Sequence, residues 1–284
     1  MKSSPPIPIV LVTGFLGSGK TTFLRRLAES HPSKRLIFLV NEIAGQSVDG
    51  EELSLTGRPT HSVVGGSLFC ECKAGEFVAV MRDTVRAQHR ENPLDAVVIE
   101  TSGIADPAAI GRLMRDHGLA EYFTISRIVA VIAPPRFRTM VTNLPTVRAQ
   151  IETSDLVIIN KTDLSTAVQI DDAKSLIREI RPAAEIRMAE YGRVDFGFSD
   201  ANPILPEGEL STCEANPFTT EVLELDQPIS RPALEAWLDA LPDSILRVKG
   251  MVLTTEGWRR VQQTVDSGST EPCEPQPKSS LVII

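Results

Sequence analysis

Several features are scarce in this sequence of 284 residues, and each scarcity excludes a class of protein. Four cysteines are too few for a disulfide scaffold at this length, so we expect a reduced, cytoplasmic setting and read any cysteine cluster as metal-binding or redox-active. No apolar run approaches the roughly 18 residues that cross a bilayer, and the N-terminus lacks the pattern of a secretory signal. The net charge of -8 opposes nucleic acid or an anionic membrane as the main partner.

The first two thirds of the chain alternate short apolar runs with longer amphipathic ones. Continuous apolar character predicts strands that are buried on both faces of a parallel sheet, at residues 7–13, 36–41, 96–100, 127–133 and 156–160. Helices are predicted between them, at residues 20–29, 77–89, 108–115 and 168–180. This alternation predicts an α/β fold with a doubly wound, mostly parallel sheet over residues 1–190.

The amino-acid composition changes after this predicted domain. Residues 191–216 are rich in Gly, Pro, Ser, Asp and Asn, which predicts a linker. Residues 217–284 contain strand-like and helical stretches followed by a polar tail and a last apolar run, which predicts a small α+β domain. Because the sequence ends on that apolar run, we expect this second domain to be truncated.

A glycine-rich turn lies between the first predicted strand and the first predicted helix. Residues 14–21 read GFLGSGKT, the P-loop pattern, in the strand–loop–helix context that phosphate binding needs. The phosphate-binding backbone amides are expected from Gly14, Gly17, Ser18 and Gly19. Lys20 should reach the β- and γ-phosphates of a nucleotide, the Thr21 hydroxyl should coordinate Mg²⁺, and Thr22 can donate to the α-phosphate.

A second motif follows the strand predicted at 156–160. Residues 160–163 read NKTD, the pattern with which many GTPases recognise guanine. The carboxylate of Asp163 would accept from both donors on the guanine edge, the stem of Lys161 would lie along the ring, and Asn160 would brace the loop. Because adenine would leave that carboxylate unpaired, the motif favours GTP over ATP.

An acidic residue ends the strand predicted at 96–100. In a P-loop fold Glu100 lies beside the phosphates, where it can hold Mg²⁺ through water or orient the attacking water. The choice between a catalytic base and a metal partner stays open. The backbone N–H of Gly103 is placed to sense the γ-phosphate.

These three motifs together resemble those of the CobW-like metal-chaperone GTPases, relatives of the GTPases that mature urease and hydrogenase. The resemblance rests on residues 14–22, on residues 100–107, which read ETSGIADP, and on residues 160–164. It extends to residues 236–242 and 246–250 of the predicted second domain. It implies slow GTP hydrolysis, with Mg²⁺, coupled to the delivery of a transition metal such as zinc or cobalt to a client metalloprotein.

The sequence departs from this family where metal ligands are expected. The family usually carries Gly-Cys-x-Cys-Cys, whereas residues 66–72 read GSLFCEC, which leaves Cys70 and Cys72 as candidate ligands. Thiolates suit zinc, and Glu42 could add a third ligand when nucleotide draws its segment inward, so that metal affinity depends on the nucleotide state. Asp49 is an alternative Mg²⁺ ligand. The two cysteines could instead be small buried residues without a metal.

Two functions from different classes follow. The first is a GTPase that loads or releases a metal ion. The alternative is a GTP-regulated module that binds a partner without a metal role, and the altered cysteine motif favours it more than the motif of a typical family member would. Nothing in the sequence separates a monomer from a homodimer. A small-molecule kinase is disfavoured by the guanine motif.

Overall fold

The computed structural model describes residues 5–42, 53–54, 56–64, 67–198, 205–212, 218–242, 244–264 and 268–284, and every structural statement below concerns these ranges. Their contacts divide the chain into two compact units. The first contains the described residues up to 212, and the second contains residues 218–284. No helix within the described ranges has the length and apolar character that crossing a membrane requires.

The first unit is built on a seven-stranded sheet in which all neighbouring strands run parallel. The spatial order is β3-β2-β4-β1-β5-β6-β7. The strands are β1 (Ile7–Thr13), β2 (Leu36–Glu42), β3 (Thr60–Val64), β4 (Ala96–Glu100), β5 (Phe123–Ile132), β6 (Leu156–Ile159) and β7 (Glu185–Met188). The predicted parallel α/β sheet is confirmed by these pairings. Parallel neighbours need crossover connections, which the helices supply.

Helices connect these strands. They are α1 (Lys20–Ser30), α2 (Glu71–Ala79), which continues through a π-helical turn (Val80–Val85) into α3 (Arg86–Glu91), then α4 (Ile110–Asp116), α5 (Phe137–Asn143), α6 (Pro145–Glu152) and α7 (Ala167–Ile180). Local sequence explains several starts. Asp106 accepts a hydrogen bond from the Ala108 amide ahead of α4, and Thr166 and Gln169 form a reciprocal capping box at the start of α7.

Both faces of the central strand β1 are buried, which places helices on both sides of the sheet. Ile9 and Leu11 belong to one apolar cluster, while Val10 and Val12 belong to the other. Alternate residues of a strand point to opposite faces, so two clusters are required where both faces are covered. After β1 the chain crosses to β2 on one side of β1. After β4 it crosses to β5, which lies on the other side of β1. Ligands of such sheets bind at this reversal of strand order.

The edges of this sheet were not predicted. Strands β3 and β7 are only partly buried, so their sequences lack the continuous apolar run that marks central strands. The short helices α5 and α6 were also missed.

The described parts of the predicted linker belong to the first unit. Phe196 is 3% exposed and packs edge-on against Phe23 of α1, with ring centroids 5.7 Å apart. Further along, the Gly111 amide donates to the Pro206 carbonyl, and Ser211 pairs with Cys70. These contacts attach the polar stretch to the first unit, although its composition is typical of a linker.

The second unit is a five-stranded antiparallel sheet with one helix. The spatial order is β11-β10-β9-β12-β8. Its elements are β8 (Glu221–Glu224), α8 (Arg231–Asp239), β9 (Arg247–Thr254), β10 (Gly257–Thr264), β11 (Gly268–Pro272) and β12 (Ser280–Ile283). Leu234 and Leu238 of α8 pack on Val248, Val252 and Leu281 of the sheet. The expected α+β layer is confirmed, but β11 lies within the predicted polar tail, where an exposed edge strand needs few apolar residues.

Candidate functional site

The loop between β1 and α1, residues 14–19, is called the phosphate loop below. Its backbone requires glycine at two close approaches. A Cβ on Gly14, which has φ +135°, would lie 2.1 Å from the carbonyl oxygen of Val131. A Cβ on Gly19, which has φ +98°, would lie 2.3 Å from Nδ2 of Asn160. The loop can therefore fold back at the carboxyl end of β1 only because Gly14 and Gly19 carry no side chain.

Lys20 opens α1 and turns back over the phosphate loop. Its ammonium group donates to the carbonyl oxygens of Gly14 (2.8 Å) and Phe15 (3.3 Å), and the residue is 6% exposed. The first amides of α1 face the same region, so a positive helix end and a fixed cation lie together. Ser18 is 3% exposed, and its hydroxyl has no hydrogen-bond partner among the described residues. This arrangement suits phosphate oxygens.

Glu100 and Thr21 meet at the next strand. Glu100 ends β4, which lies directly beside β1, and it is 4% exposed. The Thr21 hydroxyl donates to Glu100 Oε1 at 3.1 Å. A hydroxyl and a carboxylate next to a phosphate loop supply the oxygen ligands that Mg²⁺ prefers. The two residues therefore fit a magnesium ion, although the sequence alone could not show that they touch.

The segment after β4, residues 101–105, is called the sensor loop below. It lies directly on the phosphate loop. The Thr101 amide donates to Val12 O at 2.9 Å, and a Cβ on Gly103 would lie only 2.8 Å from the backbone nitrogen of Leu16. From α6, the buried amide of Gln150 donates to the carbonyl oxygens of Gly103 (3.2 Å) and Ala105 (3.1 Å). Gly103 is thus held directly against the phosphate loop.

Asn160 joins three loops. The residue is 2% exposed, and its Nδ2 donates to the Ser18 carbonyl in the phosphate loop at 3.0 Å. Its Oδ1 accepts from the Gly192 amide at 3.0 Å. Gly192 in turn lies against α1, where a Cβ would be 2.8 Å from Phe23 N. The bracing role expected for Asn160 therefore has a specific form, a single amide that holds the phosphate loop to the loop after β7.

Asp163 lies on a 3-10 turn (Thr162–Leu164) after Lys161, whose φ is +56°. Asp163 is exposed and follows the carboxyl end of β6. The negative charge of Asp163, together with a hydrogen bond from the phenol, raises the pKa of Tyr191. Tyr191 therefore borders the carboxylate expected to recognise guanine. It falls in the predicted linker, and no local signal marks it in the sequence.

The cysteine turn, residues 67–72, precedes α2. Cys70 is a buried free thiol at the N-cap of the helix, and its sulfur lies 2.7 Å from the sulfur of Cys72. Cys72 is disulfide-bonded. The turn is also held by residues 205–212, because Ser211 donates to the Phe69 carbonyl at 2.9 Å and accepts from the Glu71 amide.

The third candidate metal ligand cannot be placed. Glu42 ends β2, but its side chain lies outside the described residues, as does the whole of Asp49. In the part of the chain that the structure describes, no group of three or more His, Cys, Asp or Glu side chains could hold a metal ion. Of the residues predicted to bind a transition metal, the side chains of Cys70 and Cys72 are described, and the Cys72 sulfur is in a disulfide.

Comparison with known proteins extends the description. Residues 8–188 match the family model "CobW/HypB/UreG, nucleotide-binding domain", and residues 218–284 match "Cobalamin synthesis protein cobW C-terminal domain". The zinc chaperone YjiA of Escherichia coli (strain K12) is 25% identical over 263 residues, covering 87% of this chain and 82% of YjiA.

Two further relatives are matched over less of their length. The zinc-regulated GTPase metalloprotein activator 1 of Schizosaccharomyces pombe is 29% identical, covering 67% of this chain and 47% of that protein. The zinc chaperone CobW of Pseudomonas aeruginosa is 29% identical, covering 68% of this chain and 58% of CobW. The chain thus spans about half the length of these two relatives.

The fold has a solved counterpart. The crystal structure of the Zn(II)-bound YjiA GTPase from E. coli superposes with a TM-score of 0.52 and 20% identity, covering 99% of this chain and 94% of that chain. At this identity the likeness concerns the fold alone.

Proposed function

Because the chain belongs to the CobW/HypB/UreG family of nucleotide-binding proteins, we propose that it hydrolyses GTP and uses the cycle to load or release a transition metal ion. One observation carries the nucleotide half of this proposal. Asn160, the first residue of the guanine motif, donates directly to Ser18 of the phosphate loop. This contact between two motifs about 140 residues apart in sequence supports one site, in which we propose phosphate binding at one end and base recognition at the other.

Within this site the chain's residues divide the work. The amides of the phosphate loop and the Lys20 ammonium bind the phosphates and offset their charge. Thr21 and Glu100 would hold Mg²⁺, which when bound neutralises charge on the β- and γ-phosphates. Glu100 is also the candidate to orient the attacking water, and its hydrogen bond with Thr21 supports a role at the metal.

Guanine recognition is assigned to Asp163. Its carboxylate is exposed at the sheet edge and bordered by Tyr191, and Lys161 precedes it in a left-handed turn. A carboxylate can accept from the two neighbouring donors of guanine, whereas the corresponding edge of adenine offers no such pair. The wild-type protein should therefore prefer GTP to ATP, and Asp163→Ala should reduce that preference. An unchanged ratio of GTP to ATP affinity in the variant contradicts the assignment.

Zinc is the metal that we propose first, with cobalt as the alternative. The relatives named as zinc chaperones and a zinc-regulated GTPase support this choice, as does a turn with two neighbouring sulfurs. Thiolates are preferred ligands of zinc, and Cys72 can serve as one only after a two-electron reductant, such as a thiol, has reduced its disulfide. Glu42 is proposed as a third ligand. The recipient is proposed to be a client metalloprotein, and both a monomer and a homodimer are compatible with this role.

The metal half is tested by zinc affinity. With a phosphine reductant and magnesium present, the dissociation constant for Zn²⁺ is measured for nucleotide-free protein and for protein with GDP or a non-hydrolysable GTP analogue. The proposal expects the three values to differ. The double variant Cys70→Ser, Cys72→Ser should lose zinc binding, while Cys273→Ser, a cysteine of the second unit, should retain it. If the double variant binds zinc as tightly as wild type, this site is wrong.

The competing function, a GTP-regulated partner-binding module without a metal role, is favoured by one observation. Cys72 is already engaged in a disulfide, and the described residues contain no group of three metal ligands. This alternative expects normal GTP binding with a zinc affinity that is the same in every nucleotide state. The zinc titrations therefore distinguish the two functions.

A further inference from the structure

Asn41 carries hydrogen bonds that neither the phosphate site nor the cysteine pair explains alone. It lies in β2 one residue before Glu42 and is 4% exposed. Its Oδ1 accepts from the Leu68 amide at 3.0 Å and from the Ser102 amide at 3.3 Å. Its Nδ2 donates to the Val63 carbonyl at 3.3 Å. One buried oxygen thus joins the cysteine turn to the sensor loop.

On the sensor-loop side, Ser102 is the residue before Gly103. Gly103 lies so close to Leu16 of the phosphate loop that a side chain would not fit between them. The Ser102 hydroxyl accepts from the Ile104 amide, and Ala105 N donates to the Ser102 carbonyl, which makes the loop a compact turn. A displacement of Gly103 by a phosphate oxygen therefore moves the Ser102 N–H with it.

On the other side, Leu68 lies two residues before Cys70. Leu68 is 1% exposed and Phe69 is 2% exposed, so both side chains are fixed in the core. The Cys70 amide donates back to Ser67 O at 3.1 Å, which closes the turn around Leu68. Because these side chains are fixed, a shift of the Leu68 N–H must be taken up by the backbone of the turn. The same backbone sets the direction of the Cys70 sulfur.

The two amides share one acceptor. A carbonyl oxygen has two lone pairs, and both are used here. The bond to Ser102 is the longer of the two, so it is the one that lengthens or shortens most easily when the sensor loop moves. When the hydrogen bond from the Ser102 amide lengthens or shortens, the Asn41 amide group rotates. This rotation changes the hydrogen bond from the Leu68 amide to the same oxygen.

We propose that Asn41 is the positioning residue that transmits the nucleotide state from Gly103 to the cysteine turn. The inference rests on the proposed function, because it explains how GTP and GDP give the cysteine pair different affinities for a metal. Asn41 itself contacts neither the nucleotide nor the metal in this account. If Asn41 has only a structural role and fixes the end of β2, its substitution should lower stability without changing how metal affinity depends on the nucleotide.

The test compares Asn41→Ala with Asn41→Asp. Alanine removes the hydrogen bonds to Leu68, Ser102 and Val63. Aspartate keeps an acceptor for the Leu68 and Ser102 amides, but it replaces the donor to Val63 with a second acceptor oxygen. A matched control is Ser126→Ala in β5, which removes a single buried hydrogen bond to Ile9 O. Each full-length protein is titrated with Zn²⁺ in the presence of Mg²⁺, a phosphine reductant, and either GDP or a non-hydrolysable GTP analogue. Hydrogen exchange of the peptide containing Leu68 is followed in the same two states.

Wild type and Ser126→Ala should show zinc affinities that differ between the two nucleotides, and different exchange at Leu68. In Asn41→Ala the ratio of the two affinities should fall by about fivefold or collapse to one, since one amide hydrogen bond changes an equilibrium by roughly that factor. Asn41→Asp should keep most of the ratio. An unchanged ratio in Asn41→Ala overturns the inference, and so does an Asn41→Asp variant that is folded but behaves like the alanine variant.

The wild-type measurements keep the inference separate from the proposed function. If Asn41→Ala does not fold, wild-type exchange decides the matter, because equal exchange at Leu68 with GDP and with the analogue overturns the coupling. If wild type binds no guanine nucleotide or no zinc, the proposed function is wrong and the inference falls with it. If wild type has nucleotide-dependent zinc affinity that Asn41→Ala retains, only the inference fails.

Discussion

Asn160→Ala tests most directly whether the two nucleotide motifs form one site. The substitution removes the bonds to the Ser18 carbonyl and from the Gly192 amide, both 3.0 Å long. Leaving a buried polar group without a partner costs about 1–3 kcal/mol, so the two groups together predict a loss of about 2–6 kcal/mol in the free energy of unfolding. Domains of this kind have stabilities of about 5–15 kcal/mol, so a loss near the lower end of the predicted range leaves the variant folded.

The effect on nucleotide binding separates this tie from ordinary packing. A nucleotide that binds Asn160→Ala must first order the phosphate loop and the loop after β7. If the lost tie corresponds to about 1.4 kcal/mol in binding, the dissociation constant for GDP rises about tenfold. Calorimetric titration with GDP measures this directly, and urea unfolding with and without GDP gives an independent value by linkage. Ser126→Ala, which removes one buried bond far from the motifs in sequence, should lose about 1 kcal/mol of stability with unchanged GDP affinity.

Two outcomes would refute this reasoning. The first is an Asn160→Ala variant that is destabilised as expected but binds GDP as tightly as wild type, because the bonds would then serve the fold alone. The second is equal loss of GDP affinity in Asn160→Ala and Ser126→Ala, because any weakening of the unit would then have the same effect.

Three further predictions follow from single contacts. Glu100→Gln should lower kcat for GTP at least tenfold while GDP binding changes little, since the carboxylate is assigned to Mg²⁺ and water rather than to the base; equal kcat in single-turnover assays contradicts this. Gly19→Ala should abolish nucleotide binding, because its Cβ would meet the Asn160 amide at 2.3 Å; titration with GDP measures it, and retained affinity shows that the loop can shift. Burial raises the pKa of Asp155 above its ordinary 3.8, so its stabilising contribution is complete below 3.8 and is lost as pH rises through the folded value. Relative to Asp155→Asn, wild type should therefore lose stability across that window in urea unfolding; a pH-independent difference would falsify this.

How far the sequence predicted the fold depended on burial. The strands that lead into the site, β1, β4 and β6, are buried on both faces, and their apolar runs were visible without any structure. The edge strands β3 and β7 have mixed sequences because half of each strand meets solvent. Strand β11 was hidden in a polar tail for the same reason. Predictions from periodicity succeed where the environment is uniform and fail at boundaries.

The candidate site shows the same division. Lys20, Thr21, Glu100 and Asp163 were selected because each belongs to a local motif whose chemistry can be stated from a few neighbouring residues. Gln150, Tyr191 and Gly192 lie in no such motif. Their positions near the phosphate and base motifs come from long-range contacts, such as the bond from Gln150 to Gly103 O, 47 residues away in sequence.

The sequence by itself determined the chemistry: a glycine-rich turn between an apolar strand and a helix, an acid at a strand end, and an Asn-Lys-x-Asp loop are complete within short segments. Only the tertiary structure decided how these segments communicate. The amide of Asn41 joins Leu68 to Ser102 across gaps of 27 and 61 residues. The physical reason is that a hydrogen bond between distant segments depends on the relative placement of three strands and their loops, which no local pattern encodes.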